Sequence, residues 1–143
     1  MIRLWLPLIG GLLVSAVTPL DNSWYATVRP EKAPPSWVFG PAWTVLYLMM
    51  GLAWHKNTST TASRYFILQL ALNFAWTPVF FGMRRPDIAL VLLCALIVTA
   101  SLATYTMSNA TSTWLMVPYL AWLLYALWLN ASVVKNKMLQ DGT

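Results

Sequence analysis

Charge is what this sequence has least of. Only 9% of its 143 residues are Asp, Glu, Lys or Arg, and just four of these are acidic, whereas a soluble domain carries about 25% charged residues. Hydrophobic residues make up 59% of the chain. The composition therefore excludes an ordinary water-soluble domain.

Cysteine is almost absent too. The single Cys94 rules out an intrachain disulfide and spells out no metal cluster, and its apolar surroundings predict a small buried core residue. His55 stands beside Lys56 at the end of an apolar run, which is typical of a solvated interfacial histidine rather than a haem ligand. No carboxylate pair or nucleophile triad appears, which argues against a hydrolase or metalloenzyme. We therefore predict no metal-binding residues.

Long apolar runs are what the sequence has instead. A helix that crosses a bilayer needs about 20 apolar residues, and backbone groups in lipid must pair within their own segment. We therefore predict an all-α, polytopic membrane protein, a five-transmembrane-helix bundle forming one domain over 1–143. A signal peptide is the alternative for the first run, but Pro19 with Asp21 favours a retained helix. The predicted helices lie at about 4–20, 36–55, 62–82, 87–107 and 113–135.

The cations between these runs predict an orientation. They are too scattered for a nucleic-acid surface, so no nucleic-acid partner is expected. An odd number of crossings places Arg3, Lys56 and Arg64 on one side, and the positive-inside rule puts the richer side, with the C-terminus, in the cytoplasm. The cations of that richer side are Arg29, Lys32, Arg84, Arg85, Lys135 and Lys137.

Aromatic and amide residues recur at helical spacing, so that each run has a distinctive face. Two explanations of these faces stay open: a wall around a cavity for a large planar ligand, or tight aromatic packing with no space inside. The amides of Gln69 and Asn73 are equally open between structural bonds across helices and a ligand site. The faces are Trp43, Tyr47, Met50 and Trp54; Gln69, Asn73 and Thr77 with Trp76 and Phe80; and Tyr119, Trp122, Ala126 and Asn130.

Other tryptophans lie near the ends of the apolar runs, where amphipathic rings collect at headgroup depth. We expect these to be interfacial belt residues. They are Trp5, Trp24, Trp37, Trp54 and Trp114.

Several motifs together resemble those of the TspO/MBR family, the tryptophan-rich sensory proteins and translocator proteins, over nearly the whole chain. They are WY at Trp24, the spaced prolines from Pro30 to Pro35, WVFGPAWTVLY from Trp37, QLALNFAWTPVFFG from Gln69 and PYLAW from Pro118. The resemblance implies a five-helix bundle, often a homodimer, with a proline-rich lid loop between helices 1 and 2 that folds over a cavity. Members of this family occur in bacterial envelopes and in outer mitochondrial membranes, and the shortness of the chain and the lack of a transit segment favour a bacterial envelope or another microbial membrane.

The resemblance further implies the function. The expected protein is a membrane receptor or sensor that binds porphyrin, haem-related tetrapyrrole or sterol ligands among membrane lipids, with no required cofactor. Light-dependent breakdown of protoporphyrin IX through Trp43 and Trp122 is implied as a second activity, and transport of tetrapyrroles, sterols or other amphiphiles is the alternative. The implied ligand-binding residues are Trp24, Trp37, Trp43, Tyr47, Asn73, Trp76, Phe80, Tyr119 and Trp122.

The lid departs from the family pattern at one position. Lys32 stands where the family commonly has a tryptophan between the prolines. Together with Arg29, this cation is expected either to weaken stacking on the ligand or to pair with a ligand carboxylate.

Overall fold

The computed structural model describes residues 2–17, 25, 27–28 and 39–141, except the side chains of 15, 17, 39, 140 and 141. This part of the chain is helical and contains no strand, which confirms the predicted fold class. Five helices carry it: α1 (Ile2–Val17), α2 (Phe39–Lys56), α3 (Thr60–Thr77), α4 (Pro86–Tyr105) and α5 (Ala110–Asp141).

The helices agree with the predicted runs except at their ends. Positions 18–20 and 36–38, predicted as helical, lie outside the described residues. The prediction that the last helix ends near 135 is wrong, because α5 continues for 32 residues to Asp141. Lysine is a good helix former, so Lys135 and Lys137 do not end the helix.

Pro78 interrupts the third run, as its missing N–H predicts. A π-helical turn, Pro78–Gly82, follows α3 directly. The N–H of Met83 donates to the carbonyl of Pro78 at 2.8 Å, and that of Arg85 to Val79 at 3.1 Å. The turn widens the helix just before α4 begins.

Three of the helices are long and apolar enough to cross a membrane by length and composition: Thr60–Gly82, Pro86–Tyr105 and Ala110–Leu139. The two others are α1, with 16 residues, and α2, whose last turn holds His55 and Lys56. The described chain is that of a helical integral membrane protein.

The helices are not packed in chain order. Contacts join α1 to α2, α2 to α5, α5 to α4 and α4 to α3, and α3 also touches α1. The bundle is therefore a closed ring in which the last helix lies between the second and the fourth. This order sets the walls of the site, because it brings α2 against α5.

Glycines let α1 approach its neighbours closely. A side chain at Gly51 would overlap the backbone carbonyl of Leu4, and one at Gly11 would overlap the ring of Tyr47. Small residues at such crossings allow the van der Waals contact that drives helix association in lipid.

Hydrogen bonds from polar side chains join the loops at one end of the bundle. Asn57 Oδ1 accepts from the N–H groups of Ser59 and Ser108, at 3.1 and 3.0 Å. Asn109 Nδ2 donates to the carbonyl of Lys56 at 3.0 Å, and Arg3 Nη1 to that of Asn57 at 3.3 Å. Two loops and the start of α1 are thereby joined at the end that holds Arg3 and Lys56.

The opposite end holds Arg84, Arg85, Lys135 and Lys137. Lys137 Nζ donates to the carbonyl of Arg84 at 3.1 Å, and Asn136 Nδ2 donates to the carbonyl of Val28 at 2.7 Å. Arg85 forms an exposed ion pair with Asp87 at 3.1 Å, and this hydrogen bond raises the pKa of the Arg85 guanidinium. Which end faces the cytoplasm stays a prediction.

Candidate functional site

Four aromatic rings from two helices meet around Trp43. Its indole stacks on Tyr47, with centroids 5.3 Å apart and planes at 28°. It also meets Tyr119 at 6.2 Å and Trp122 at 6.0 Å, both edge to face. We refer to Trp43, Tyr47, Tyr119 and Trp122 as the aromatic cluster. Offset and edge-to-face geometries are those that aromatic quadrupoles favour.

The helical spacing explains half of this arrangement. Trp43 and Tyr47 are four residues apart on α2, and Tyr119 and Trp122 are three apart on α5, so each pair shares one face. Both tyrosines are buried, whereas both indoles are only half-buried. The missing side chain of Gly11 leaves the room that the Tyr47 ring occupies. The predicted faces of α2 and α5 are therefore confirmed as inward-facing.

A chain of hydrogen bonds runs behind the rings. Tyr47 Oη donates to Asn73 Oδ1 at 2.7 Å, and Asn73 Nδ2 donates to Tyr119 Oη at 2.9 Å. Tyr119 Oη in turn donates to Gln69 Oε1 at 2.7 Å. The chain joins α2, α3 and α5, so these bonds hold helices together, at about 1 kcal/mol each in lipid.

One donor group in this series of hydrogen bonds has no acceptor among the described residues. Gln69 is fully buried, and its Nε2 has no hydrogen-bond partner in the described part of the chain. A buried polar group without a partner is costly, and an ordered water is the usual remedy. The amides therefore serve packing first, and the two N–H groups of Gln69 Nε2 remain to bind a water or an acceptor group.

Trp76 and Phe80, which the sequence predicts in the wall of the ligand site, lie beside the aromatic cluster. Neither makes a ring contact with Trp43 in the described part of the chain. They stack on each other with centroids 4.7 Å apart. Trp76 Nε1 donates to Asn130 Oδ1 at 2.9 Å, and Asn130 Nδ2 donates to the carbonyl of Pro86 at 2.8 Å. These two bonds join α3 to α5 and α5 to the start of α4, so the indole N–H of Trp76 already has an acceptor.

Space near the cluster is of two kinds. A hollow of about 10 Å³ lies between Trp43, Asn73 and Trp76, which is room for about one water. A much larger groove of about 610 Å³ runs along the outside, between α2 and α5. Small-ligand sites span about 300–1,000 Å³, so of these two spaces near the cluster the open groove is the one within that range. The groove is lined by Ala42, Val45, Leu46, Pro118, Ala121, Trp122 and Tyr125.

Four predicted site residues, Trp24, Arg29, Lys32 and Trp37, lie outside the described residues. Two stretches of the same loop are described. Tyr25 is buried, 5.7 Å from the ring of Phe81, and Val28 is held by Asn136. This part of the loop packs on the end of the bundle opposite to the one where Asn57 forms its hydrogen bonds.

Several single-residue predictions need correction. Trp54 is buried, stacks on Phe66 at 4.7 Å and donates to Ser63 Oγ, so it is a core residue and not part of the interfacial belt. Cys94 is exposed on α4 rather than buried, because it falls on the outward face. Trp5 and Trp114 are exposed as expected.

No cluster of three His, Cys, Asp or Glu side chains is found among the described residues. His55 is exposed in the last turn of α2. These positions supply no set of metal ligands near the aromatic cluster.

Sequence reasoning missed two aromatic residues that extend the cluster. Tyr125 lies 5.5 Å from Trp122, and Trp128 lies 5.7 Å from Tyr125. Their spacing of three residues along α5 was the available signal, since residues three apart are neighbours on a helix.

Comparison with known proteins points to one family. A model of the TspO/MBR family matches residues 4–135. The tryptophan-rich protein TspO of Chlorobaculum tepidum is 40% identical over 138 residues, covering 87% of either chain. The translocator protein of Homo sapiens is 36% identical, over 92% of this chain and 90% of its own. A translocator protein homologue of Schizosaccharomyces pombe is 42% identical, over 71% and 70%.

Proposed function

Since this chain belongs to the TspO/MBR family, we propose that it is a membrane receptor that binds porphyrins and related tetrapyrroles at the aromatic cluster. The observation that carries this proposal is the edge-to-face pair of Trp43 and Trp122 at 6.0 Å, beside a groove of about 610 Å³. Flat, polarizable indole faces suit a flat, polarizable macrocycle. The names of its relatives, tryptophan-rich sensory protein and translocator protein, support a sensor or translocator role.

The groove is the proposed place for the macrocycle. Its walls are apolar, and Trp122 belongs to both the groove and the cluster. A ligand entering from the bilayer would contact Trp122 first and reach Trp43 directly behind it. Lateral entry of this kind also supports the alternative function, transport of tetrapyrroles, sterols or other amphiphiles.

Light-dependent breakdown of protoporphyrin IX is the second proposed activity. A photoexcited porphyrin can take an electron from an indole, and the half-buried indoles of Trp43 and Trp122 are the groups that a bound ring would touch. Arg29 and Lys32 are proposed to pair with the ligand's carboxylates. The protein is proposed to act as a homodimer, with its C-terminus in the cytoplasm of a microbial cell.

Titration with protoporphyrin IX in the dark tests binding. The purified protein in lipid nanodiscs should lose tryptophan fluorescence in a saturable manner, and Trp122→Ala should weaken the titration more than Trp114→Ala. Trp114 is the matched control, because it is 71% exposed on the same helix. Equal titration curves for the two variants would overturn the proposed site.

A further inference from the structure

The aromatic cluster does not end at Trp122. Successive ring centroids along one line are 6.0 Å apart from Trp43 to Trp122, 5.5 Å from Trp122 to Tyr125, and 5.7 Å from Tyr125 to Trp128. Each ring is therefore in van der Waals contact with the next. The line begins at a half-buried indole on α2 and ends at one that is 44% exposed on α5.

The exposed end of this line lies near the charged end of the bundle that holds Arg85 and Asp87. Asn130, two residues after Trp128, donates to the carbonyl of Pro86, and Pro86 adjoins the exposed ion pair of Arg85 and Asp87. Two residues rise about 3 Å along a helix, so Trp128 is close to the level of these charges. Indoles at that depth meet both headgroups and water.

From this geometry we infer that Trp43, Trp122 and Trp128 form a path for single electrons from the water interface to the interior of the site. A one-electron oxidant at Trp43 removes an electron from its indole, and the vacancy passes to Trp122 and then to Trp128. No bond forms or breaks in these transfers. A soluble one-electron reductant, such as ascorbate or a thiol, then refills Trp128.

Tyr125 bridges the two outer indoles but does not hold the vacancy. A phenol loses its proton when it is oxidised, and the Tyr125 hydroxyl donates to no residue in the described part of the chain. The groove beside it is lined by apolar side chains and offers no base. Tyr125 therefore provides ring contact alone.

The hydrogen-bonded tyrosines behind the cluster do not take up the electron vacancy either. Tyr47 and Tyr119 donate to the amide oxygens of Asn73 and Gln69, and an amide oxygen is a much weaker base than a carboxylate. Neither phenol can readily release its proton, so oxidation stays on the indoles. The path accordingly runs along α5 towards Trp128.

The natural oxidant is the one point that rests on the proposed function: a photoexcited, flat aromatic ligand. Such a ligand takes one electron from Trp43, becomes a radical anion and passes that electron to dioxygen, which becomes superoxide. In such a cycle the ligand is restored and escapes breakdown, and the reductant at Trp128 is the species that has been oxidised. The path thus protects Trp43 and Trp122 from oxidative damage during repeated illumination.

An attached photo-oxidant tests the path without any ligand binding. Gly40 lies one helical turn before Trp43, and a side chain there meets no described residue within 4 Å. In a Cys94→Ser background, Gly40→Cys would carry a ruthenium polypyridyl complex through a maleimide, with the full chain in nanodiscs. A soluble acceptor that quenches the excited complex leaves Ru(III), which oxidises Trp43. Transient absorption then follows the tryptophan radical and its reduction by ascorbate.

The labelled parent should form a radical that ascorbate removes quickly. With Trp128→Phe, the radical should still form but persist several-fold longer, because its remaining positions are half-buried. Trp122→Phe should lengthen it in the same way, and Trp114→Phe, at a more exposed indole outside the line, should change nothing. If Trp128→Phe and Trp114→Phe decay alike, the path does not exist, whatever the outcome of the porphyrin titration.

Discussion

The indoles of Trp43 and Trp122 meet edge to face, with centroids 6.0 Å apart and planes at 80°. They come from α2 and α5, which the ring of helices makes neighbours. An electron-rich pair of this kind, half-buried beside a groove, is the feature on which the proposed chemistry depends.

Replacing both indoles should separate binding from photochemistry. We expect Trp43→Phe with Trp122→Phe to slow the light-driven loss of the protoporphyrin IX absorption band several-fold, because phenylalanine is far harder to oxidise than tryptophan. Binding should fall less, since a ring remains at each position. Absorption under illumination and fluorescence in the dark measure the two effects. A double variant that degrades the porphyrin at the parent's rate would exclude the photo-oxidative activity and leave binding in place.

The hydrogen-bond chain should matter for stability. Tyr119→Phe removes the hydroxyl that joins Asn73 to Gln69, so we expect a loss of about 1–2 kcal/mol in the free energy of unfolding. Thermal unfolding in detergent measures the change. Tyr105→Phe is the control, because Tyr105 is 88% exposed. Equal midpoints for both variants would show that the buried bonds contribute nothing.

The crossing of α1 and α2 should tolerate no side chain at Gly51. Gly51→Ala places a methyl group against the carbonyl of Leu4, and overpacking of this kind costs about 1–3 kcal/mol. Gly40→Ala is the matched control on the same helix, because among the described residues a side chain there meets nothing within 4 Å. The expected result is a lower unfolding midpoint for Gly51→Ala alone, and its absence would mean that α1 can shift.

The bond from Asn136 to Val28 should hold the first loop against the bundle. Asn136→Ala removes the donor to the Val28 carbonyl, so trypsin should cleave faster after Lys32, the cation of this loop that no proline follows. Ser132→Ala, one turn earlier on α5, serves as the control. Timed digestion with mass spectrometry identifies the cut, and unchanged rates would show that other contacts fix the loop.

The predicted orientation can be read by labelling. In a Cys94→Ser background, Lys56→Cys should react with a membrane-impermeant maleimide on intact cells, whereas Met138→Cys should react only after permeabilisation. Both positions are exposed at opposite ends of the bundle. The reverse pattern would place the C-terminus outside and contradict the positive-inside reasoning.

Some of this could be predicted residue by residue. The spacing of Tyr119 and Trp122 indicated one face of α5, and Pro78 indicated a break in the third helix. The mistaken predictions concern which face of a helix is buried, and hydropathy does not indicate this. Cys94 sits in an apolar run, and in lipid the outward face of a helix is as apolar as the inward one.

The sequence by itself determined the helices and their membrane setting, because apolar runs of spanning length leave the backbone no other way to satisfy its hydrogen bonds in lipid. It also determined which side chains share a face. Only the tertiary structure decided that α5 lies between α2 and α4, bringing Trp122 onto Trp43 and Asn130 onto Trp76. Helix neighbours in a bilayer are chosen by close packing at glycines and by a few polar bonds, and the spacing of residues within one helix does not indicate which other helix they contact.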